Sequence, residues 1–273
     1  MTNNIPLMTK RIVLFLLTIC TCTYGQEVTE SPYETDFWKD GAWLTAGFGL
    51  SAYGLILIQN KEDLTLAELE SLNEDDINGL DRWAAGNDSD QASKISDIPF
   101  YASFATPFIL LLDDKMNNHT GQISVMLLEN LSTTAALFSI TAGLVEKSRP
   151  RVYNEDLSEN IRLSSNNQRS FYSGHVAAAA ASTFFAAQVY SDFYPDSRAK
   201  PYIWAAAAVI PAAVGYLRIE SGNHFLSDVL IGYAVGAASG IFVPRLHRKK
   251  NANFSLVPSV GRRYKSIRMS YRF

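Results

Sequence analysis

Six stretches of this chain are apolar for longer than a β-strand needs and are almost free of charge: residues 41–58, 98–112, 123–145, 175–191, 202–217 and 225–243. They are rich in Ala, Leu, Gly and Ile and lack the period-two alternation of a half-buried strand, so helices are expected. Lengths near ~20 residues fit the ~30 Å hydrocarbon core of a bilayer. The shorter stretches also fit the buried helices of a soluble bundle. The fold class expected is all-α: a bundle of about six apolar helices, membrane-embedded, with a short C-terminal hairpin or basic tail.

The connections and termini read differently. Residues 64–77, LTLAELESLNEDDI, have the pattern of a short amphipathic surface helix. Asn117, Asn118 and Gly121 mark one turn, and Pro195 and Pro201 another. No repeat of fixed period occurs. Near the C-terminus, FSLVPSV and SIRMSYRF alternate apolar and polar residues around GRRYK, a hairpin pattern. Two such strands are too few to close a membrane barrel. At the N-terminus, Lys10 and Arg11 precede IVLFLLTIC, and small or polar residues follow to Gly25, as in a secretory signal. Both cysteines, Cys20 and Cys22, fall in this segment, so a chain cleaved after it has no disulfide or thiol chemistry. Ile19 and Thr21 precede them where lipidation wants a small residue. The expected divisions are a signal peptide or anchor at 1–25, a helical domain at 26–246 and a basic tail at 247–273.

Charge is segregated although the net value is only −3. Residues 59–97 hold eleven acids against Lys61, Arg82 and Lys94, whereas 244–273 hold nine Lys or Arg and no acid. If 41–58 is the first of six alternating spans, the acidic connection and the basic tail lie on opposite sides. The positive-inside rule then places the acidic side outside the cytoplasm. A cleaved signal would start the mature chain outside and give the reverse. Glu129 and Asn130, within 123–145, have to face the bundle interior if that segment spans.

Chemistry concentrates where apolar segments begin or end. In GYLRIESGNHFLSDV, His224 and Asp228 are four apart at a helix start and share one face. A carboxylate there can fix the imidazole tautomer and leave the other ring nitrogen nucleophilic. Arg218 lies just upstream, across a loop with Ser221 and Gly222, and a guanidinium suits a phosphate-like oxyanion. In RSFYSGH, Ser173 is a natural N-cap, Gly174 lets the backbone approach a ligand, and the first amides of the helix form an anion site beside His175. A histidine so placed can protonate a departing oxygen. In KSRPRVYN, Lys147, Arg149 and Arg151 can cradle a phosphate or simply complement a helix C-terminus. His247, in RLHRKK, is expected to be solvated, and His119, in a turn, has the same bland reading. In an up-and-down bundle the three motif-bearing ends meet on one face.

These three motifs, in this order, resemble the type 2 phosphatidic acid phosphatase superfamily, which includes vanadium haloperoxidases and bacterial class A acid phosphatases. The family pattern is Lys, six residues, Arg-Pro; then Pro-Ser-Gly-His; then Ser-Arg, five residues, His, three residues, Asp. Here the stretches read A-GLVEKS-RP, YSGH and LR-IESGN-H-FLS-D, and the resemblance covers about 40–245. It implies a metal-independent phosphatase in which His224 attacks phosphorus, Asp228 orients it, and His175 protonates the leaving oxygen and then activates water. Arg149, Arg218, Ser173 and the Gly174 N–H would hold the phosphoryl oxygens. Ala142 stands where the family has its phosphate-binding Lys, Tyr172 replaces the Pro and Leu217 the Ser. Lys147 and Arg151 are the candidates to replace the missing charge. The implied substrate is a phosphomonoester or diphosphate, lipid-linked or small. The expected partners are that substrate and membrane lipids, with no nucleic acid. No cofactor is expected, and vanadate would act as a phosphate mimic. The resemblance also implies a bacterial cell-envelope location: an integral protein with a periplasm-facing site, with a soluble or peripheral periplasmic bundle as the alternative. Two other functions stay open, a vanadate-dependent haloperoxidase and a catalytically degenerate envelope protein that binds head groups.

Overall fold

The computed structural model describes residues 30–249 and the backbone of 254–261 and 264–271. The expected signal peptide or anchor at 1–25, with Cys20 and Cys22, lies outside the described residues.

Six long helices carry the apolar stretches: α1 Phe37–Gln59, α2 Asp90–Leu110, α3 Thr120–Leu144, α4 Gly174–Phe193, α5 Lys200–Glu220 and α6 Leu226–Leu246. Most extend a few residues past the apolar stretch because polar residues can start a helix. The Asp36 carboxylate accepts the Trp38 and Lys39 amides to open α1, and Ser89 accepts the Ala92 amide to open α2. By length and composition α1, α3, α5 and α6 can each cross a membrane, as expected of an integral membrane protein. Their outward faces carry exposed apolar side chains such as Phe48, Leu55, Leu137, Val209 and Phe242, a surface suited to lipid rather than water.

The helices run alternately up and down. The C-terminal ends of α1, α3 and α5 and the N-terminal ends of α2, α4 and α6 gather at one end of the bundle. The opposite end joins the start of α1 to the end of α6: the Glu34 amide bonds the His247 carbonyl at 2.8 Å and the Lys249 amide bonds Pro32 at 2.9 Å. The acidic 59–97 connection is therefore at the motif-bearing end, and the last described residues before the tail are at the other.

Helix α4 sits at the centre, packed against α2, α3, α5 and α6. Its alanines let neighbours come close. Gly232, Gly236 and Gly240, one per turn of α6, ride on its backbone. A Cβ at Gly232 would lie 2.5 Å from the Ser173 carbonyl oxygen, and one at Gly240 would lie 2.6 Å from that of Ala181. One at Gly236 would overlap the Ala177 carbonyl. This small-residue stripe gains van der Waals contact in a setting where apolar surface alone drives little association. Gly47 and Gly54 of α1 meet Ser132 and Ser139 of α3 in the same manner. Asn130, fully buried, donates to the Ala181 carbonyl at 3.0 Å, and its own carbonyl accepts Ser239 of α6 at 3.2 Å. Glu129 is equally buried, so both polar residues of α3 face inward as their cost in lipid requires.

Two local expectations are corrected, those for 64–77 and for His247. The stretch 64–77 is not one helix: a capped helix, Leu66–Ser71, ends at Leu72 and a 3₁₀ turn, Glu74–Asp76, follows under its own Asn73 cap. The turn expected at Pro195 and Pro201 lies between α4 and α5, and Pro201 itself occupies the first turn of α5, where its missing N–H costs nothing. His247 is not solvated: it is 7% exposed, with Nε2 3.1 Å from Glu129 and 3.5 Å from Asp40. Its partners come from helices distant in sequence, which a reading of RLHRKK alone could not supply. The C-terminal expectation of a hairpin is met in the backbone: β1 Phe254–Gly261 pairs antiparallel with β2 Tyr264–Tyr271, Phe254 opposite Tyr271 and Gly261 opposite Tyr264.

Candidate functional site

The motif-bearing end brings Arg149, Ser173, Gly174, His175, Arg218, His224 and Asp228 together. Arg149 follows α3 and precedes a 3₁₀ turn at Pro150–Tyr153. The Ser173 amide bonds the Asp228 carbonyl at 3.1 Å, tying the start of α4 to the start of α6. A Cβ at Gly174 would lie 2.7 Å from the Phe138 ring, which would have to shift to admit it. Gly222 has φ +67°, and a Cβ would overlap the Asn87 carbonyl oxygen, so the loop before His224 turns where only glycine fits.

His224 is 3% exposed, and its Nδ1 lies 2.6 Å from the Ser170 carbonyl oxygen. An acceptor there fixes the proton on Nδ1 and leaves the Nε2 lone pair available. Asp228 does not bond the ring, contrary to the expected direct pair. Its carboxylate accepts the Ser170 hydroxyl at 2.6 Å, the Phe225 amide at 2.9 Å and the Lys147 ammonium at 2.7 Å. Asp228 therefore holds His224 through Ser170, the residue whose carbonyl takes the ring N–H. Burial pushes the His224 pKa well below its ordinary value, and Arg149 and Arg218 add to the shift. His175, half-buried, packs against Phe100 with the rings inclined at 47° and 4.5 Å between centroids. Burial, then Arg218, hold its pKa down to about 4 against a contrary pull from Asp97.

The cationic groups divide into two sets. Lys147 does not replace the missing family Lys. Its ammonium is committed to Asp228, to Asp81 at 3.2 Å and to Ser227 at 3.1 Å. Arg151 bonds Asp88 through one guanidinium nitrogen, yet its Nε is buried without a partner. Arg149 reaches Asn223 at 2.9 Å, and Arg218 reaches Ser93 and Ser96 only at 3.5 and 3.4 Å. The Nε atoms of Arg149 and Arg218 and the Ser173 hydroxyl are all buried and all lack a hydrogen-bond partner. Ser173 occupies the N-cap position of α4 without capping it, so its hydroxyl is free for another task. Each unpaired buried donor costs about 1–3 kcal/mol, more when charged. A cluster of them around a histidine is arranged for an anion.

Sequence reasoning missed several participants. Asp81 is fully buried and accepts the Ser227 amide and hydroxyl at 2.8 and 2.6 Å, anchoring the start of α6. Asn223, Ser170 and Arg169 were also unread. Arg169 adds to the positive field that, after burial, lowers the Arg149 pKa to about 9, and its own Nε is buried and unpartnered. The one available signal was its place in RSFYSGH, four residues before Ser173. At Ala142 itself the neighbouring cation is Lys61, which donates to the carbonyls of Ala142, Val145 and Gln168 at 3.1, 2.6 and 3.2 Å.

An apolar cavity of about 390 Å³ adjoins His175, lined by Phe100 and Phe104 of α2, Leu131 and Phe138 of α3, and Ala178 of α4.

Residues 122–252 match the sequence model of the PAP2 superfamily. No curated protein matches the chain. Among solved structures it is similar to one described as the crystal structure of the first transmembrane PAP2 type phosphatidylglycerolphosphate phosphatase from Bacillus subtilis. The two are 23% identical over 73% of this chain and 94% of that one, with a TM-score of 0.46. The matched segment, 122–252, holds all three motifs, from Arg149 to Asp228, and in it the chain is similar to the PAP2 superfamily.

Proposed function

We propose that this protein is a metal-independent lipid phosphatase that works through a phosphohistidine at His224. The observation that carries the reading is the set of buried, unpartnered donors, Arg149 Nε, Arg218 Nε and Ser173 Oγ, around a neutral His224. A phosphoryl group would give each donor its missing acceptor, with the first amides of α4 completing the cradle. His224 Nε2 attacks phosphorus, and the P–O bond to the leaving group breaks. His175 gives its proton to that oxygen, then takes one from the water that hydrolyses the N–P bond. A free His175 with a pKa near 4 is not yet an acid at neutral pH. The bound phosphate dianion offsets the Arg149 and Arg218 charges and raises that pKa, so the acid is armed by its substrate.

The cavity beside His175 supports a lipid-linked substrate. Aromatic and aliphatic groups from three helices leave room for an acyl or prenyl chain whose head group reaches the cradle. The acidic connection at the site end and the basic tail at the other support a site facing the periplasm. Ala142 is the one observation for a second reading, in which the cradle binds phosphorylated head groups without turning them over.

The deciding experiment is trapping with radiolabelled phosphatidate and undecaprenyl diphosphate on the full chain in detergent. The expected result is an acid-labile, alkali-stable phosphoenzyme and phosphate release that persists in EDTA while circular dichroism shows the fold intact. Both should vanish in His224→Ala. Release unaffected by His224→Ala would overturn the phosphohistidine. No release from wild type, with gain in Ala142→Lys, would establish the binding reading.

A further inference from the structure

The end of the bundle away from the cradle contains a second cluster that phosphate chemistry does not use. Asp40 lies in the first turn of α1, Glu129 in α3, and His247 caps α6. They are 7%, 0% and 7% exposed. One ligand atom from each lies within 4.8 Å of the others. His247 Nε2 is 3.1 Å from Glu129 Oε2 and 3.5 Å from Asp40 Oδ1.

The surroundings orient these atoms inward. His247 Nδ1 meets the Val243 carbonyl at 3.0 Å, which keeps a proton on Nδ1 and aims Nε2 at the carboxylates. A carbonyl or carboxylate behind the ring is the usual support of a metal-binding histidine. Asp40 Oδ2 accepts the Asp36 amide at 2.7 Å, leaving Oδ1 toward His247. Glu129 is fully buried, its Oε1 has no partner, and its Oε2 meets His247. A simple ion pair leaves the cluster unbalanced: a protonated His247 with two carboxylates retains one net negative charge inside an apolar bundle. A divalent cation with a neutral imidazole and two carboxylates is neutral. A cavity of about 360 Å³, lined by Lys39, Asp40, Trp43, Leu246 and His247, adjoins the cluster and provides an entry path and room for a water ligand.

We propose that Asp40, Glu129 and His247 bind one divalent transition-metal ion of the Zn²⁺ class, with a water from the cavity as fourth ligand. Zn²⁺ accepts this mixed nitrogen and oxygen set in tetrahedral geometry. The ion joins α1, α3 and α6, and its role is structural, since the cradle is at the opposite end.

The test uses the full chain in detergent, stripped with EDTA and transferred to chelator-free buffer, then titrated separately with Zn²⁺, Mn²⁺, Mg²⁺ and Co²⁺. One equivalent of Zn²⁺ retained by elemental analysis, a visible Co²⁺ band of tetrahedral type, and a melting temperature raised several degrees by Zn²⁺ but not by Mg²⁺ are expected. Glu129→Gln and His247→Asn should each weaken Zn²⁺ binding more than about ten-fold. Asp192→Asn, at the same end but outside the cluster, should leave it unchanged. If either cluster variant fails to fold, the wild-type stoichiometry and Co²⁺ band decide alone. Absence of both in wild type, or variants that bind Zn²⁺ as wild type does, would overturn the site.

Discussion

The two ends of this bundle are built from opposite deficits. At one end Arg149, Arg218 and Ser173 point buried donors at no acceptor. At the other, the buried carboxylates of Glu129 and Asp40 converge on one side-chain donor, His247, and Glu129 Oε1 is left without a partner. Beside the first set, Lys147 is paired with both Asp81 and Asp228. An unsatisfied buried charge is expensive enough that it persists where a counterion arrives from outside. The comparison teaches that a bundle with a plain Ala, Leu and Gly interior can keep unpaired buried donors at one end and crowded buried carboxylates at the other.

The largest effect that sharpens the contrast is loss of His224. His224→Ala should lower phosphate release by at least about 10³-fold, while the Zn²⁺-dependent rise in melting temperature at the far end stays as in wild type. A variant that lost both would join what the structure separates.

Next is the cradle charge. Arg149→Met should cost about 10²–10³-fold in kcat, yet raise the melting temperature, because it removes a buried cation that faces Arg169, Arg218 and Arg151. Vanadate or phosphate should raise the melting temperature of wild type much more than that of the variant. A variant both inactive and destabilised would mean that Arg149 is paired in the resting protein.

The packing that holds the ends apart gives a third effect. Gly236→Val places side-chain atoms on the Ala177 carbonyl and should destabilise by about 1–3 kcal/mol, measured by denaturation in detergent. Gly41→Val, where no atom lies within 4 Å of the added Cβ, should be near neutral.

The smallest effect is in pH. His224 and His175 both have pKa values lowered from 6.5. Their contribution to stability is whole above about 6.5 and is lost as pH falls through the folded values, because the unfolded chain takes up the protons first. For activity, the need for a protonated His175 should make kcat/KM rise as pH falls toward its lowered pKa, and the fall that marks protonation of His224 should come only well below pH 6.5. In Arg149→Met that acid limb should move upward. An acid limb at the ordinary histidine value in wild type would contradict the burial of His224.

Much of this was legible in the sequence. The six apolar stretches became the six long helices within a few residues, since length and the absence of alternation leave few other structures. The motif order foretold which candidate residues meet, because up-and-down helices force their alternate ends together. What the sequence hid were partners far along the chain. Lys147 looked like a phosphate ligand until Asp81, in an acidic loop read only for its charge, was found buried against it. Asp228 looked like a direct partner of His224 until Ser170 was found between them. His247 looked solvated because its neighbours in sequence are Arg and Lys, whereas its neighbours in space are Glu129 and Asp40. The stripe Gly232, Gly236, Gly240 was open to view, its four-residue spacing being a known sign of close helix contact.

The cavity beside His175 is bounded by α2, α3 and the central α4, and α2 and α3 carry exposed apolar residues such as Ile98, Phe108 and Leu137. On the lipid-phosphatase reading, a substrate entering there leaves its neighbours in the bilayer without passing through water. The concentration such an enzyme responds to is molecules per unit of membrane area, so spreading the same amount of substrate among more inert lipid would slow it, though nothing in the surrounding solution had changed.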